Sequence, residues 1–392
     1  MGRVALTALL VQSALVQAIT FLLRPASTYQ AISLDVPPAA LGAIGATFAI
    51  VPLALAVPVG GLVDRVGEKR VTLAGTVLLV GSSATFLWGS DSVAGLVIAN
   101  ALLGAGHLGC VIGQQALVAN IAGPGRDDSA GVGRLDAWFG YYTFVASAGQ
   151  AVGPSLLGLV GGTSVQPDTR AIFTVALGMC AAQLALSFLL PRHTAASGAD
   201  GRQPGGFVTL LRTSGLARAL TTSAIILAAV DLTLVYLPAL GADRDLGAGV
   251  VGALLTVRAV FSMASRLTLG WMARRLGRTR LMALSIVISG LSLGACALPV
   301  PVWALLVAVA AMGLGLGVGQ PLTMSWLTEQ APPGRRGQAL SLRLAGNRLG
   351  QVLVPAGIGL VAGGSGAAVV LAATGAVVGS SLLLLRGFSL DE

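Results

Sequence analysis

The chain has 392 residues, 55% of them hydrophobic and 10% charged, with a mean hydropathy of +0.86. A soluble protein of this length has no interior able to hide so much apolar surface, so its solvent must be lipid. The net charge is +9, from 24 basic and 15 acidic residues, but the basic residues do not cluster with aromatics in a polar domain, which argues against nucleic-acid binding.

Apolar stretches bounded by Gly, Pro and charge fall near 4–24, 38–60, 71–89, 92–119, 135–160 and 170–190. A second set falls near 216–240, 247–270, 281–299, 302–327, 338–362 and 366–385. Most can cross about 30 Å of hydrocarbon as a helix, which predicts twelve transmembrane helices, six and six. The expected units are a bundle over 1–191, a cytoplasmic linker over 192–215 rich in Gly, Ser, Ala and Arg, and a bundle over 216–392. Lys and Arg fix the orientation. Eighteen fall on the side of both termini, against Arg24, Arg170 and Arg244 on the other, so both termini are expected inside. Trp88 and Trp303 then fall at the outer interface, and Trp271 and Trp326 at the inner one.

Helix 1 opens with Arg3 before an apolar run, the form of a signal peptide. Its removal would leave an odd helix count, so it is expected to stay. The helix carries Ser13, Gln17, Thr20 and Arg24, spaced as one helical face. Between helices 2 and 3 stands Gly60–Arg70, GGLVDRVGEKR, a charged glycine turn that includes Asp64, Arg65 and Gly67. Helix 4 carries Asn100, Gly104, His107 and Gln114, again on one face. Helix 5 holds Gly140, Gly149, Gly153, Pro154 and Gly158, where small residues allow close helix approach and the proline a kink.

In the second half, Asp231 of helix 7 lies about 14 Å below the outer helix end, and Arg258 of helix 8 about 16 Å below it. An unpaired charge at that depth costs several kcal/mol, so an Asp231–Arg258 pair is expected. The glycine turn returns as Gly270–Arg280, GWMARRLGRTR, with Arg275 and Gly277 matching Arg65 and Gly67. Glu329 follows helix 10 and is expected to pair with Arg274 or Arg275. In helix 11, Arg348 lies about 16 Å from the inner end, between Asn347 and Gln351. Gly350, Gln351 and Pro355 echo Gly149, Gln150 and Pro154 of helix 5. Deep charge is thus mostly cationic, and guanidinium groups recognise carboxylate or phosphate by forked hydrogen bonds.

The duplicated turn resembles the helix 2–3 loop of the major facilitator superfamily, Gly-x-Leu-x-Asp-Arg-x-Gly-basic-basic. Gly60, Leu62, Asp64, Arg65 and Gly67 match. Glu68 departs from the first basic position, and Arg274 replaces the Asp in the second copy. The helix 5 pattern is similar to the glycine-proline motif of that family's drug–proton antiporters, although Gly-Pro-Ser-Leu-Leu-Gly stands where Gly-Pro-x-x-Gly-Gly is usual. The resemblance implies an all-α fold of two six-helix bundles, with helices 1, 4, 7 and 10 lining a central cavity. The resemblance, together with the cost of polar groups in lipid, makes Gln17, Arg24, Asn100, His107, Asp231, Arg258, Asn347 and Arg348 candidates for the substrate and proton pathway. It makes Gly60, Asp64, Arg65, Gly67, Arg70, Arg275, Glu329 and Arg336 an inner gate, with Asp64 reaching toward the N-terminal end of helix 11 near Gly337. Many antiporters have Arg where Asn100 stands, which leaves His107 as the titratable group of that stripe.

The two histidines, His107 and His193, form no catalytic or metal cluster, and no Gly-x-x-x-x-Gly-Lys-Ser/Thr loop occurs, so neither an enzyme nor an ATP-driven pump is expected. Cys110, Cys180 and Cys296 lie in apolar runs as small fillers, without disulfide or metal spacing. The expected function is secondary transport by alternating access: proton-coupled efflux of a small organic compound, or alternatively transport of a small organic anion through an Arg-lined cavity. The expected setting is the cell inner membrane, as a monomer, with a small-molecule substrate, protons and the lipid bilayer as partners and no cofactor.

Overall fold

The structure is a computed structural model that describes residues 3–122, 128–191, 215–330, 336–362 and 365–385. The side chains of Asp64, Glu329 and Arg336 lie outside the described residues, as does nearly all of the 192–215 linker. The described chain is helical throughout, as lipid demands of a backbone that must satisfy its own polar groups.

Six helices form the first half: α1 Arg3–Ser33, α2 Pro38–Val66, α3 Glu68–Gly89, α4 Val93–Ala122, α5 Asp128–Gly161 and α6 Thr169–Phe188. Six more form the second: α7 Leu216–Asp243, α8 Ala248–Leu276, α9 Arg278–Ala297, α10 Val302–Gln330, α11 Arg336–Val361 and α12 Gly366–Ser380. Among the described residues, ten of them, and α12 together with the 3-10 turn Ser381–Leu385 that continues it, are long and apolar enough to span a membrane. The exception is α11, which carries Arg343, Asn347, Arg348 and Gln351 within nine residues. Helix α1 runs nine residues past the expected end at 24. Pro25 lies inside it; a proline removes one amide donor from a helix without necessarily ending it when the helix is buried in a bundle.

The two halves repeat one another about 210 residues apart. Gly67 closes α2 and opens α3 at φ 88°, and Gly277 does the same between α8 and α9 at φ 78°. Such backbone favours glycine, since a side chain there would clash. Asp35 and Asp245 both take left-handed backbone in the α1–α2 and α7–α8 turns, at φ 57° and 54°, a conformation Asp tolerates better than most residues.

Between the halves, α5 packs on α8, α2 on α11 and α1 on α7. The outer face is closed by backbone-level contacts. The Ala248 amide donates to the Ser164 carbonyl at 2.8 Å. A Cβ on Gly247 would lie 2.2 Å from the Thr163 oxygen, and one on Gly158 would lie 2.5 Å from Gly249 Cα. The Tyr236 hydroxyl of α7 donates to the Pro38 carbonyl at 2.9 Å and accepts from the Gly42 amide at 3.1 Å. It therefore stands between two groups that an ordinary helical turn would join directly.

Candidate functional site

The site lies where α1, α2, α7, α8 and α11 meet at mid-depth. Arg24 of α1 donates through Nη1 to Asp231 Oδ1 of α7 at 2.5 Å, a pair that joins the halves. Gln351 of α11 donates its amide to Asp231 Oδ2. Its oxygen accepts from Arg348 Nη1 at 3.0 Å. One glutamine thus links Arg348 to the carboxylate without a direct ion pair.

The expected Asp231–Arg258 pair does not form; the partner is Arg24. Equal depth is necessary for pairing but not sufficient, because α7 turns Asp231 across the interface toward α1 and α11. Arg258 is 2% exposed, and its Nε and Nη2 are buried without a hydrogen-bond partner. Asp231 acts on it only through space. Arg24 and Arg348 are also buried, each with an unpartnered Nε. Arg24, counted on the outer side by sequence as well as among the deep charges, is 5% exposed and packed between the halves. Three guanidinium groups face one carboxylate, so the centre holds a surplus of positive charge in a medium that screens it poorly.

Phe48 of α2 sits among these cations. Its ring centroid is 4.6 Å from Arg24 Cζ and 5.7 Å from Arg348 Cζ. It also lies 5.5 Å from the His107 ring, tilted by 57°. No polarity or spacing signal marks Phe48 in sequence. The repeat does: it stands 210 residues before Arg258. The two are met alike, since a Cβ on Gly104 would lie 2.0 Å from the Phe48 oxygen and one on Gly313 would lie 2.3 Å from the Arg258 oxygen.

The remaining pathway candidates form two further groups. Gln17 approaches His107 Nε2 at 3.4 Å and accepts from Gln150 at 3.2 Å, while His107 Nδ1 is buried without a partner. Asn347 accepts from Ser223 at 2.8 Å and donates to Gln320 at 3.2 Å. Asn100 instead donates to Ser27 Oγ and the Leu96 carbonyl, bracing α4 against α1. Sequence reasoning missed Arg266, whose Nη1 donates to Ser147 of α5 across the halves at 3.1 Å. Arg343, placed at the inner helix end by sequence, reaches Gln320 at 2.6 Å. Both set further positive charge on the cytoplasmic side of the centre.

The family model described as Major Facilitator Superfamily matches residues 9–247 and again 219–391. The chain belongs to the major facilitator superfamily. Its members' fold explains the duplicated bundles, and the chain is a multi-pass membrane transporter rather than an enzyme. Among solved structures, it is similar to a nucleoside transporter, NupG, with 14% identity and TM-score 0.75 over 99% of this chain and 98% of that one. It is also similar to a D-xylose–proton symporter, with 15% identity and TM-score 0.76 over 98% of each chain. A third is the peptide transporter POT in complex with sulfate, with 16% identity and TM-score 0.76 over 98% of this chain and 94% of that one. No curated protein matches the sequence.

The superfamily motifs have distinct physical roles in this chain. In the helix 2–3 loop, Gly67 supplies backbone geometry, whereas a Cβ on Gly60 would meet nothing within 4 Å. Arg65 and Arg70 are exposed. Arg275 lies over Trp271, with Cζ 5.8 Å from the ring centroid. In helix 5, Cβ atoms on Gly149 and Gly153 would fall 2.1 and 2.5 Å from the Ala14 and Ala18 carbonyl oxygens. Pro154 offers its own carbonyl to α8, where a Cβ on Gly252 would lie 2.6 Å from it. The echo in helix 11 works alike, with Gly350 against Ala224. Each following glutamine then reaches the facing helix, Gln150 to Gln17 and Gln351 to Asp231. Cys110, Cys180 and Cys296 are buried and free.

Proposed function

We propose that this superfamily member is a secondary transporter of the cell inner membrane that moves a small organic anion by alternating access, coupled to protons. One observation carries the reading: Arg24, Arg258 and Arg348 all have buried N–H groups without an acceptor, beside a single carboxylate. A carboxylate or phosphate on the substrate supplies acceptors to these groups and balances the surplus charge. A cationic compound would add to that surplus and pay its own desolvation there.

Asp231 is the candidate proton carrier. As a carboxylate it holds Arg24 across the halves. Protonated, it no longer offsets that cation, and Arg24 is released toward the substrate. Gln17, His107 and Gln150 offer a neighbouring polar route, and Asn347 with Gln320 another. Asn100, held by Ser27 and Leu96, acts as a brace. In this reading Asp64, Arg65, Glu329 and Arg336 serve the cytoplasmic gate, and the units are 1–191 and 216–392 joined by the 192–215 linker. Export is the direction suggested by the helix 5 resemblance at Gly149, Gly153 and Pro154.

The test is flux in proteoliposomes with an imposed pH gradient, using lactate, succinate, benzoate and phenylphosphonate as probes. At least one should move, faster with the gradient than without, and Arg348→Ala should abolish that flux. Transport restricted to cations or neutral solutes would overturn the anion reading. Anion flux that ignores the gradient would remove proton coupling.

A further inference from the structure

We infer that Phe48 is a positioning residue of this transporter, holding Arg24 of the first half and Arg348 of the second at the spacing with which they grip one anion. The inference rests on the anion reading and adds what sets the geometry of that site. Two like-charged groups buried beside one another repel and tend to splay. Neither Arg24 nor Arg348 hydrogen-bonds to the other, and each has only one hydrogen-bond partner among the described residues. Both guanidinium carbons lie within 6 Å of the Phe48 centroid, the range at which a ring quadrupole attracts a cation. The ring is thus a shared, uncharged counterpart that takes up none of their N–H groups and leaves the unpartnered Nε–H of each open to a substrate.

The position of the ring is itself fixed. Phe48 is 3% exposed. The Gly104 approach brings α4 directly onto its backbone, and the His107 ring packs against its side. In the second half, the repeat-equivalent position holds Arg258. The same place in the fold therefore contributes a π surface from one half and a cation from the other. An aliphatic residue at 48 would fill the volume without holding either arginine.

Three variants test this: Phe48→Leu, Phe48→Tyr and Phe48→Trp. Flux is measured with whichever of the four probe anions the native protein moves fastest. Loss of the ring should raise KM about tenfold in Phe48→Leu, with kcat changed less, while Tyr or Trp should keep KM within about twofold. Thermal unfolding of Phe48→Leu, Arg348→Met and the double variant supplies a readout independent of transport. The two single losses should be non-additive, because one contact is removed in each. Additive losses, or native-like KM in Phe48→Leu, would overturn the positioning role while leaving the anion reading intact. If the native protein moves none of the probes, the anion reading falls and this inference falls with it.

Discussion

Asp231 is held from two sides, by Arg24 and by Gln351, and the rest of the site depends on that grip. Removing it alone leaves three buried guanidinium groups facing one another. Asp231→Ala should therefore cost on the order of 3–5 kcal/mol, seen as a lower unfolding temperature in detergent. Adding Arg24→Ala should restore part of the loss, because the stranded charge is gone; a double variant less stable than either single one would contradict the pairing. At Arg348 the fork matters more than the charge. Arg348→Lys should impair anion flux nearly as much as Arg348→Ala, and near-native flux in the lysine variant would mean that charge alone suffices. The depth of Asp231, Arg258 and Arg348 could be counted from helix ends, so their place near the centre was legible in the sequence. Their partners were not, because counting gives height and not the angle at which helices of different halves face each other. Arg24 was counted both with the outer end and with the deep charges for a local reason: Pro25 reads as a helix end, but the helix continues to Ser33.

At the scale of elements, α7 carries two struts between the halves, Asp231 at the centre and Tyr236 about 7.5 Å nearer the outside. The Tyr236 hydroxyl is lodged in the first turn of α2, and a Cβ on Gly42 would stand 2.9 Å from it. Tyr236→Phe and Gly42→Ala should both loosen the outer seal. Thr28 lies buried beneath that seal, beside a cavity with room for about one water. The thiol of a Thr28→Cys variant should resist a membrane-impermeant thiol reagent applied from outside, and react several-fold faster once Tyr236→Phe is added. Unchanged labelling would show that the hydroxyl does not hold the gate. Glycine-rich stretches likewise divide by what stands opposite them. Gly153→Val should prevent α1 and α5 from closing and lower expression, whereas Gly60→Ala should be neutral or stabilising by about 0.5–1 kcal/mol. The sequence marked both glycines through motifs. Only the facing helices distinguish a close approach from an open surface.

For the whole molecule, duplication was the most legible feature, because the glycine turn Gly60–Arg70 recurs 210 positions later as Gly270–Arg280. What the repeat conceals is the difference between its halves at the centre. Phe48 and Arg258 occupy matching places with opposite chemistry, and an aromatic inside an apolar run carries no sequence signal of its own. In the alternating-access reading, the halves rock about this centre. In the proposed cycle an anion engages the arginines, Asp231 takes up a proton and lets go of Arg24, and the outer contacts part. Spin labels at Asp91 and Leu298, exposed at the outer ends of the first and second halves, would report it by their separation. Adding the best-transported probe anion should populate a second, longer distance in the native protein and not in Arg348→Ala. An unchanged distance in the native protein, or the same lengthening in Arg348→Ala, would contradict this cycle.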